Sequence, residues 1–118
     1  MAEALRAQAR LVEALGQYDL IVERFPENAV AQNGRAEVLK ALGRYEEALG
    51  SYAQTIARFP ADAVAQNGRA QVLKALGRYE EALGSYAQTI ARFYGNVVAH
   101  NGRAEVLKAL GPSRQPAL

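Results

Sequence analysis

One block of 34 residues is written twice in succession, and that repeat limits the possible folds more than any other feature of the chain. Residues 29–62 read AVAQNGRAEVLKALGRYEEALGSYAQTIARFPAD. Residues 63–96 repeat them with four changes: Glu37 becomes Gln71, Pro60 becomes Tyr94, Ala61 becomes Gly95 and Asp62 becomes Asn96. The block starts a third time at Val97, as VVAHNGRAEVLKALG, and stops at Gly111. It also extends backwards, because Arg24-Phe25-Pro26 stands 34 residues before Arg58-Phe59-Pro60. A chain with such a period stacks like units side by side and buries apolar faces between neighbours, so it has no single central core.

Two helical patterns alternate within the block. Tyr45, Ala48, Leu49, Tyr52, Thr55, Ile56 and Phe59 recur at three- and four-residue spacing, which draws one apolar stripe along a helix. Ahead of them Ala31, Val38, Leu39 and Leu42 make a shorter stripe, with Asn33, Glu37 and Lys40 on another face. Gly43 falls just past the first pattern, where glycine takes the left-handed conformation at no steric cost. Pro60 falls just past the second and cannot continue a helix. The spacing predicts helix A, a tight turn, helix B and a short loop in every unit.

These positions resemble the tetratricopeptide repeat. Counted from Ala29, Ala36 is the small residue of helix A and Gly43 the turn glycine, while Tyr45, Ala48, Tyr52 and Pro60 fall at the family's aromatic, small, aromatic and proline positions. The second unit repeats them as Ala70, Gly77, Tyr79, Ala82 and Tyr86, and departs at Tyr94, where the proline is missing. Helix A departs as well: Gln32, Gln66 and His100 stand where Trp or another aromatic is usual, and Arg35, Arg69 and Arg103 replace its leucine. The resemblance covers about residues 1–111 and implies an all-α, right-handed superhelical solenoid of antiparallel helix pairs. Its expected divisions are a partial or fused repeat over 1–28, whole units over 29–62 and 63–96, and helix A of an incomplete third unit over 97–111, acting as a cap. The Gly- and Pro-punctuated residues 112–118 read as a disordered tail.

Neither end closes a unit. At the N-terminus, Leu15-Gly16-Gln17-Tyr18 matches the turn Leu42-Gly43-Arg44-Tyr45, and Ala14-Leu15-Gly16-Gln17-Tyr18 matches the helix B segment Ala48-Leu49-Gly50-Ser51-Tyr52 equally well. Both hold if seven residues, two helical turns, are missing between two such segments, because the apolar phase then survives. One long helix over residues 3–25 is the first expectation and a hairpin with a clipped helix B the second. A long helix cannot fold back on itself. Its apolar residues Leu11, Leu15 and Tyr18, with Val106, Leu107 and Leu110 of the unpaired third helix A, are then candidates for self-association into a homo-oligomer.

The chemistry-bearing residues are sparse. There is no Cys, which excludes disulfides, thiolate metal sites and thiol catalysis together. The one histidine, His100, occupies the slot of Gln32 and Gln66 and reads as a polar substitution. Glu46-Glu47 and Glu80-Glu81 open helix B, where negative charge complements the helix N-terminus. With no Gly-rich phosphate loop and no metal-ligand spacing, we expect no enzyme, no cofactor and no metal. Fourteen cations against twelve anions, eleven of the cations being scattered arginines, give a weak field for nucleic acid or an anionic membrane. The basic grooves and base-reading polar pairs of a helical-repeat RNA binder are not evident either. No apolar run is long enough for membrane insertion. Residues 1–6 lack the apolar core of a secretory signal, and a cytoplasmic protein is expected.

Binding remains. In tetratricopeptide arrays the A helices line the concave surface, and a partner's peptide or helix lies across them. The resemblance places Asn33, Glu37 and Lys40, then Asn67, Gln71 and Lys74, then Asn101, Glu105 and Lys108 on that face, alongside Val30, Val64 and Val98. The asparagines can hydrogen-bond a peptide backbone and the lysines favour acidic ligands; equally, both can simply solvate an exposed face, with Glu37 and Lys40 pairing at i,i+3. Some relatives clamp the C-terminal carboxylates of heat-shock chaperones. The first-helix lysine and asparagine of that clamp fall here at Asn33 and Glu37, and an acidic residue opposes a carboxylate, so no such clamp is expected. Arg35, Arg69 and Arg103 lie inside the apolar arc, where each guanidinium must reach water, a carbonyl or a carboxylate; an arginine ladder for an acidic partner is the alternative. The expected function is a protein-binding scaffold, and the competing one a self-assembly module with no separate ligand.

Overall fold

The computed structural model describes residues 2–111; the tail expected at 112–118 lies outside them. Those residues form six helices: α1 (Ala2–Arg24), α2 (Ala29–Ala41), α3 (Tyr45–Arg58), α4 (Ala63–Ala75), α5 (Tyr79–Arg92) and α6 (Val97–Leu110). The protein is an all-α helical-repeat solenoid, with α2, α4 and α6 as A helices and α3 and α5 as B helices. Each A helix starts at a short polar residue: the side chains of Asn28, Asp62 and Asn96 accept the backbone N–H of Ala31, Ala65 and Ala99 at 3.0 Å. The first two A helices end at Gly43 and Gly77, whose φ values of 78° and 77° are left-handed. The chain then reverses, and the N–H groups of Arg44 and Arg78 donate to the carbonyls of Leu39 and Leu73 at 2.8 Å.

α1 is a single helix of 23 residues. Gly16 lies within it and is not among the glycines at positive φ, so no turn forms there. Packing decides between the two alignments of this segment. The Tyr52 ring lies against Gly68 and the Tyr86 ring against Gly102, so closely that a Cβ on either glycine would collide with it. Tyr18 lies against Gly34 in the same way, 34 residues earlier. The C-terminal half of α1 is therefore a helix B with no helix A of its own among the described residues, and Leu11 stands at the Tyr45 position. Ahead of Leu11 the helix runs on through residues that are exposed from Glu3 to Arg10.

Apolar burial follows the repeat. Leu39, Ala48, Tyr52, Ala65 and Val72 belong to one cluster, and Leu73, Ala82, Tyr86, Ala99 and Val106 to the next. Helices pack on their sequence neighbours, and α2 packs on α4 and α4 on α6, whereas the backbones of α1, α3 and α5 stay apart. The A helices thus form a continuous inner layer and the B helices a spaced outer one, within an elongated body of 52 × 38 × 22 Å.

Candidate interaction groove

Because A helices meet directly, their exposed faces form one surface with a cleft at each seam. The cleft between α4 and α6 measures about 470 Å³ and is lined by Gln71, Lys74, Asn101 and Glu105 above Tyr79 and Tyr86. A smaller cleft of about 240 Å³ carries Glu37, Tyr52, Asn67, Gln71 and Val98. Burial pushes the Tyr52 hydroxyl up to about 12, with the Glu37 carboxylate adding to the effect. The Tyr86 hydroxyl is raised by the same pair of causes, burial first and then Glu105.

The polar residues of this face bond from one unit to the next. Lys40 Nζ donates to Gln71 Oε1 at 2.7 Å and Lys74 Nζ to Glu105 Oε1 at 3.0 Å. Lys40 reaches forward to Gln71 rather than back to Glu37. One consequence is uneven charge, since Glu105 neutralises Lys74 while Lys40 meets a neutral amide. Asn33 and Asn67 are nearly buried, and their amides donate to the helix caps of the following unit, Asp62 Oδ2 at 3.4 Å and Asn96 Oδ1 at 3.2 Å. Their Oδ1 atoms have no hydrogen-bond partner. Asn101 and Lys108 are exposed. The structure therefore brings Gln71, Lys74, Asn101 and Glu105 together in one cleft and Glu37, Asn67 and Gln71 in the other, and uses Asn33 mainly to join units. Sequence reasoning missed the caps; an Asn or Asp before each AVA or VVA was the available signal.

Arg35 packs its stem between helices and sends its head to two acceptors: Nε to Asp19 Oδ1 at 2.6 Å, and Nη1 to the buried Ser51 Oγ. Arg69 has Ala53 where Arg35 has Asp19, which removes that partner. His100 turns back to the loop that closes the preceding unit. Its Nε2 is bonded to the Tyr94 carbonyl at 2.6 Å, and the two rings meet edge-on. Among the described residues, no group of three His, Cys, Asp or Glu side chains is placed to hold a metal ion, and no helix is long and apolar enough to cross a membrane.

The six residues marked for self-association divide. Leu15 and Val106 are buried, and Tyr18 packs on Gly34, so the chain's own core takes up these three. Leu11 and Leu110 are half-buried, and Leu107 is exposed. Leu20 and Ile21, which sequence reasoning passed over, are exposed beside Phe25. Their signal was position, because they stand 34 residues before the polar pair Gln54-Thr55.

The family model for the tetratricopeptide repeat matches residues 1–63, 33–96 and 67–111. The chain belongs to the tetratricopeptide repeat family. No curated protein matches it by sequence. Among solved structures, it is similar to the first tetratricopeptide domain of Spaghetti (RPAP3) bound to the HSP90 peptide SRMEEVD. That likeness has a TM-score of 0.81 at 23% identity and covers 92% of this chain and 86% of the other. The TPR2B domain of yeast Sti1 in complex with pHsp70 aligns with a TM-score of 0.77 at 18% identity, over 91% and 90%. The Sgt2 domain of Aspergillus fumigatus aligns with a TM-score of 0.80 at 19% identity, over 98% and 81%. Tetratricopeptide proteins are in general interaction modules without catalysis, and identities this low carry the fold alone.

Proposed function

We propose that this tetratricopeptide protein is a non-enzymatic, cytoplasmic scaffold that binds a peptide or helix of a partner protein across α2, α4 and α6, with self-association through its end helices as a second property. One observation carries the reading: two clefts on the same face, floored by Tyr52 and Tyr86 and rimmed by lysine, amide and carboxylate groups. Apolar floors with a few convergent polar groups suit side-chain anchoring. Lys40, with no carboxylate on it, favours an acidic residue in the ligand at the α2 end. The RPAP3 and Sti1 domains bind chaperone tails, but Glu37 stands here where a carboxylate clamp needs a donor, so a chaperone-tail peptide is not the ligand. A cytoplasmic setting agrees with the cysteine-free composition.

Selection of peptides from a displayed library, followed by NMR shift mapping, tests this. Selected peptides should perturb Gln71, Lys74 and Asn101, and Lys40→Glu should weaken acidic ligands about tenfold or more. Mapping to the outer face of α3 and α5 would overturn the groove, as micromolar binding of a chaperone tail would overturn the exclusion of the clamp. The alternative, a self-assembly module with no separate ligand, is favoured by the two uncovered ends.

A further inference from the structure

We infer that the partner of the uncovered ends is a second copy of this chain, joined head to tail so that α6 of one copy and α1 of the next complete a tetratricopeptide unit. The inference deepens the self-association part of the proposed function and rests on it.

The whole units supply the template. Gln32 Nε2 donates to Gln54 Oε1 at 2.8 Å and Gln66 Nε2 to Gln88 Oε1 at 3.1 Å, while Arg35 reaches Ser51. Gln54 and Ser51 therefore mark the side of helix B that faces its own helix A, and Thr55 shares that side one turn from Ser51. In α3 and α5 Ser51, Thr55, Ser85 and Thr89 on this side are buried, while Gln54 and Gln88 stay exposed at its rim. The equivalents on α1 are Gln17, Leu20 and Ile21. No helix A covers them, and Leu20 is 61% and Ile21 37% exposed. An end face built for water would keep Gln and Thr at these positions or make them more polar. Here Ile21 stands where the covered residue is a threonine, and Leu20 where it is a glutamine at the rim, while Gln17 stays polar; two of the three uncovered positions are apolar, the reverse of a solubilising cap.

α6 presents the opposite half. Ala36, Ala70, Leu39 and Leu73 are at most 1% exposed, but their counterparts Ala104 and Leu107 are open, Leu107 to 45%. Among the described residues, α4 has a helix B of its own and a following helix A, and α6 has neither. The C-terminal half of α1 is a helix B without its helix A, so each end of the molecule is the piece the other end lacks.

The Gln–Gln contact tests the fit. A glutamine on α6 facing Leu20 would have a stranded amide. Both members of the pair are replaced together, one at each end of the chain: His100 stands for Gln66 and Leu20 for Gln54. His100 already has its Nε2 bonded to the Tyr94 carbonyl, a contact made by the loop in which Tyr94 replaces Pro60. Only Nδ1 of the ring then needs a partner when Leu20 covers it, one polar atom where a glutamine amide would present two. Arg103, at the Arg35 position, then faces Gln17, whose side-chain oxygen accepts from a guanidinium. Ala2–Arg10 would run on past the end of the neighbour's α6. The joint uses two different faces, so it is heterologous and extends without closing.

Light scattering on two end-blocked variants and their mixture tests this, with circular dichroism to verify helix content. Leu20→Glu with Ile21→Glu blocks α1, and Leu107→Glu blocks α6; all three positions are exposed, so the fold is not at stake. The wild-type chain should grow past dimer mass with concentration, and each variant alone should stay at 12.8 kDa. Mixed, they should form a one-to-one dimer and nothing larger, with association at least tenfold stronger than in either alone. A variant that still dimerises alone means a two-fold contact through its intact end. That result overturns the head-to-tail joint and leaves self-association standing, as does a wild-type dimer whose variants stay monomeric when mixed. A monomeric wild type at every concentration overturns both.

Discussion

Gly68 sits in the middle of α4, where glycine costs about 1 kcal/mol relative to alanine, and the reason for it is the Tyr52 ring lying on its Cα. Gly50, on α3, has nothing within 4 Å of the position a Cβ would take. The same substitution should therefore have opposite signs at the two sites. Gly50→Ala should raise stability by about 0.5–1 kcal/mol through helix propensity alone. Gly68→Ala should lower it by roughly 1–2 kcal/mol, because overpacking outweighs that gain. Urea unfolding of both variants checks this, and a stabilised Gly68→Ala would mean the tyrosine ring is free to move aside. The tyrosine has a titration signature too. Its folded pKa of about 12 lies above the ordinary value of 10, so folding favours the protonated hydroxyl. That contribution is complete below pH 10 and is lost as pH rises towards 12. Unfolding midpoints from pH 9 to 12, followed with tyrosinate absorbance, should fall in that window, and Tyr52→Phe should flatten the fall. An equally steep decline in Tyr52→Phe would assign it to other groups.

At the scale of helices, α1 divides at about Leu11 into a packed half and a projecting half, and the two should respond differently. Deleting residues 3–9 removes side chains that are exposed throughout, so the unfolding free energy should change by less than about 0.5 kcal/mol. Gly16→Pro removes an intrahelical hydrogen bond next to the buried Leu15 and should cost about 3 kcal/mol. Chemical denaturation compares the two directly, and a harmless proline would mean that the helix is easily interrupted at Gly16. This helix also marks how far the sequence could be read. α2 to α6 were legible because period, turn glycine and loop proline are local signals that recur. The register of α1 was not, since Gly16-Gln17-Tyr18 fits a turn and a helix B equally, and only the contact of Tyr18 with Gly34, distant in sequence, separates them. Site residues were legible to the same limited depth. Helical spacing put Asn33 and Asn67 on the groove side, but nothing local revealed that the next unit's cap would take their amides. A stripe likewise marks Leu15, Val106 and Leu107 as apolar without saying which of them a neighbour covers.

Stability in the whole molecule is divided among the joints between units, because each helix touches only its sequence neighbours and the A helix of the adjoining unit. A chain of this kind behaves as a row of coupled units, in which every internal unit adds its own folding term and one more favourable interface. Inserting an extra copy of residues 29–62 after Asp62 adds one complete helix pair and one more pair of A helices side by side. If the interfaces carry the stability, the urea midpoint should rise and the slope of the transition should increase by roughly a third, in proportion to the added surface exposed on unfolding. An unchanged midpoint with a second transition would mean that units fold independently and that the contacts between A helices contribute little. The insertion also adds one groove cleft while leaving both end faces as they are. Peptide binding should then gain a contact site and self-association should not change, so a single longer chain separates the two surfaces: whichever property strengthens with the extra unit belongs to the groove, and whichever stays constant belongs to the ends.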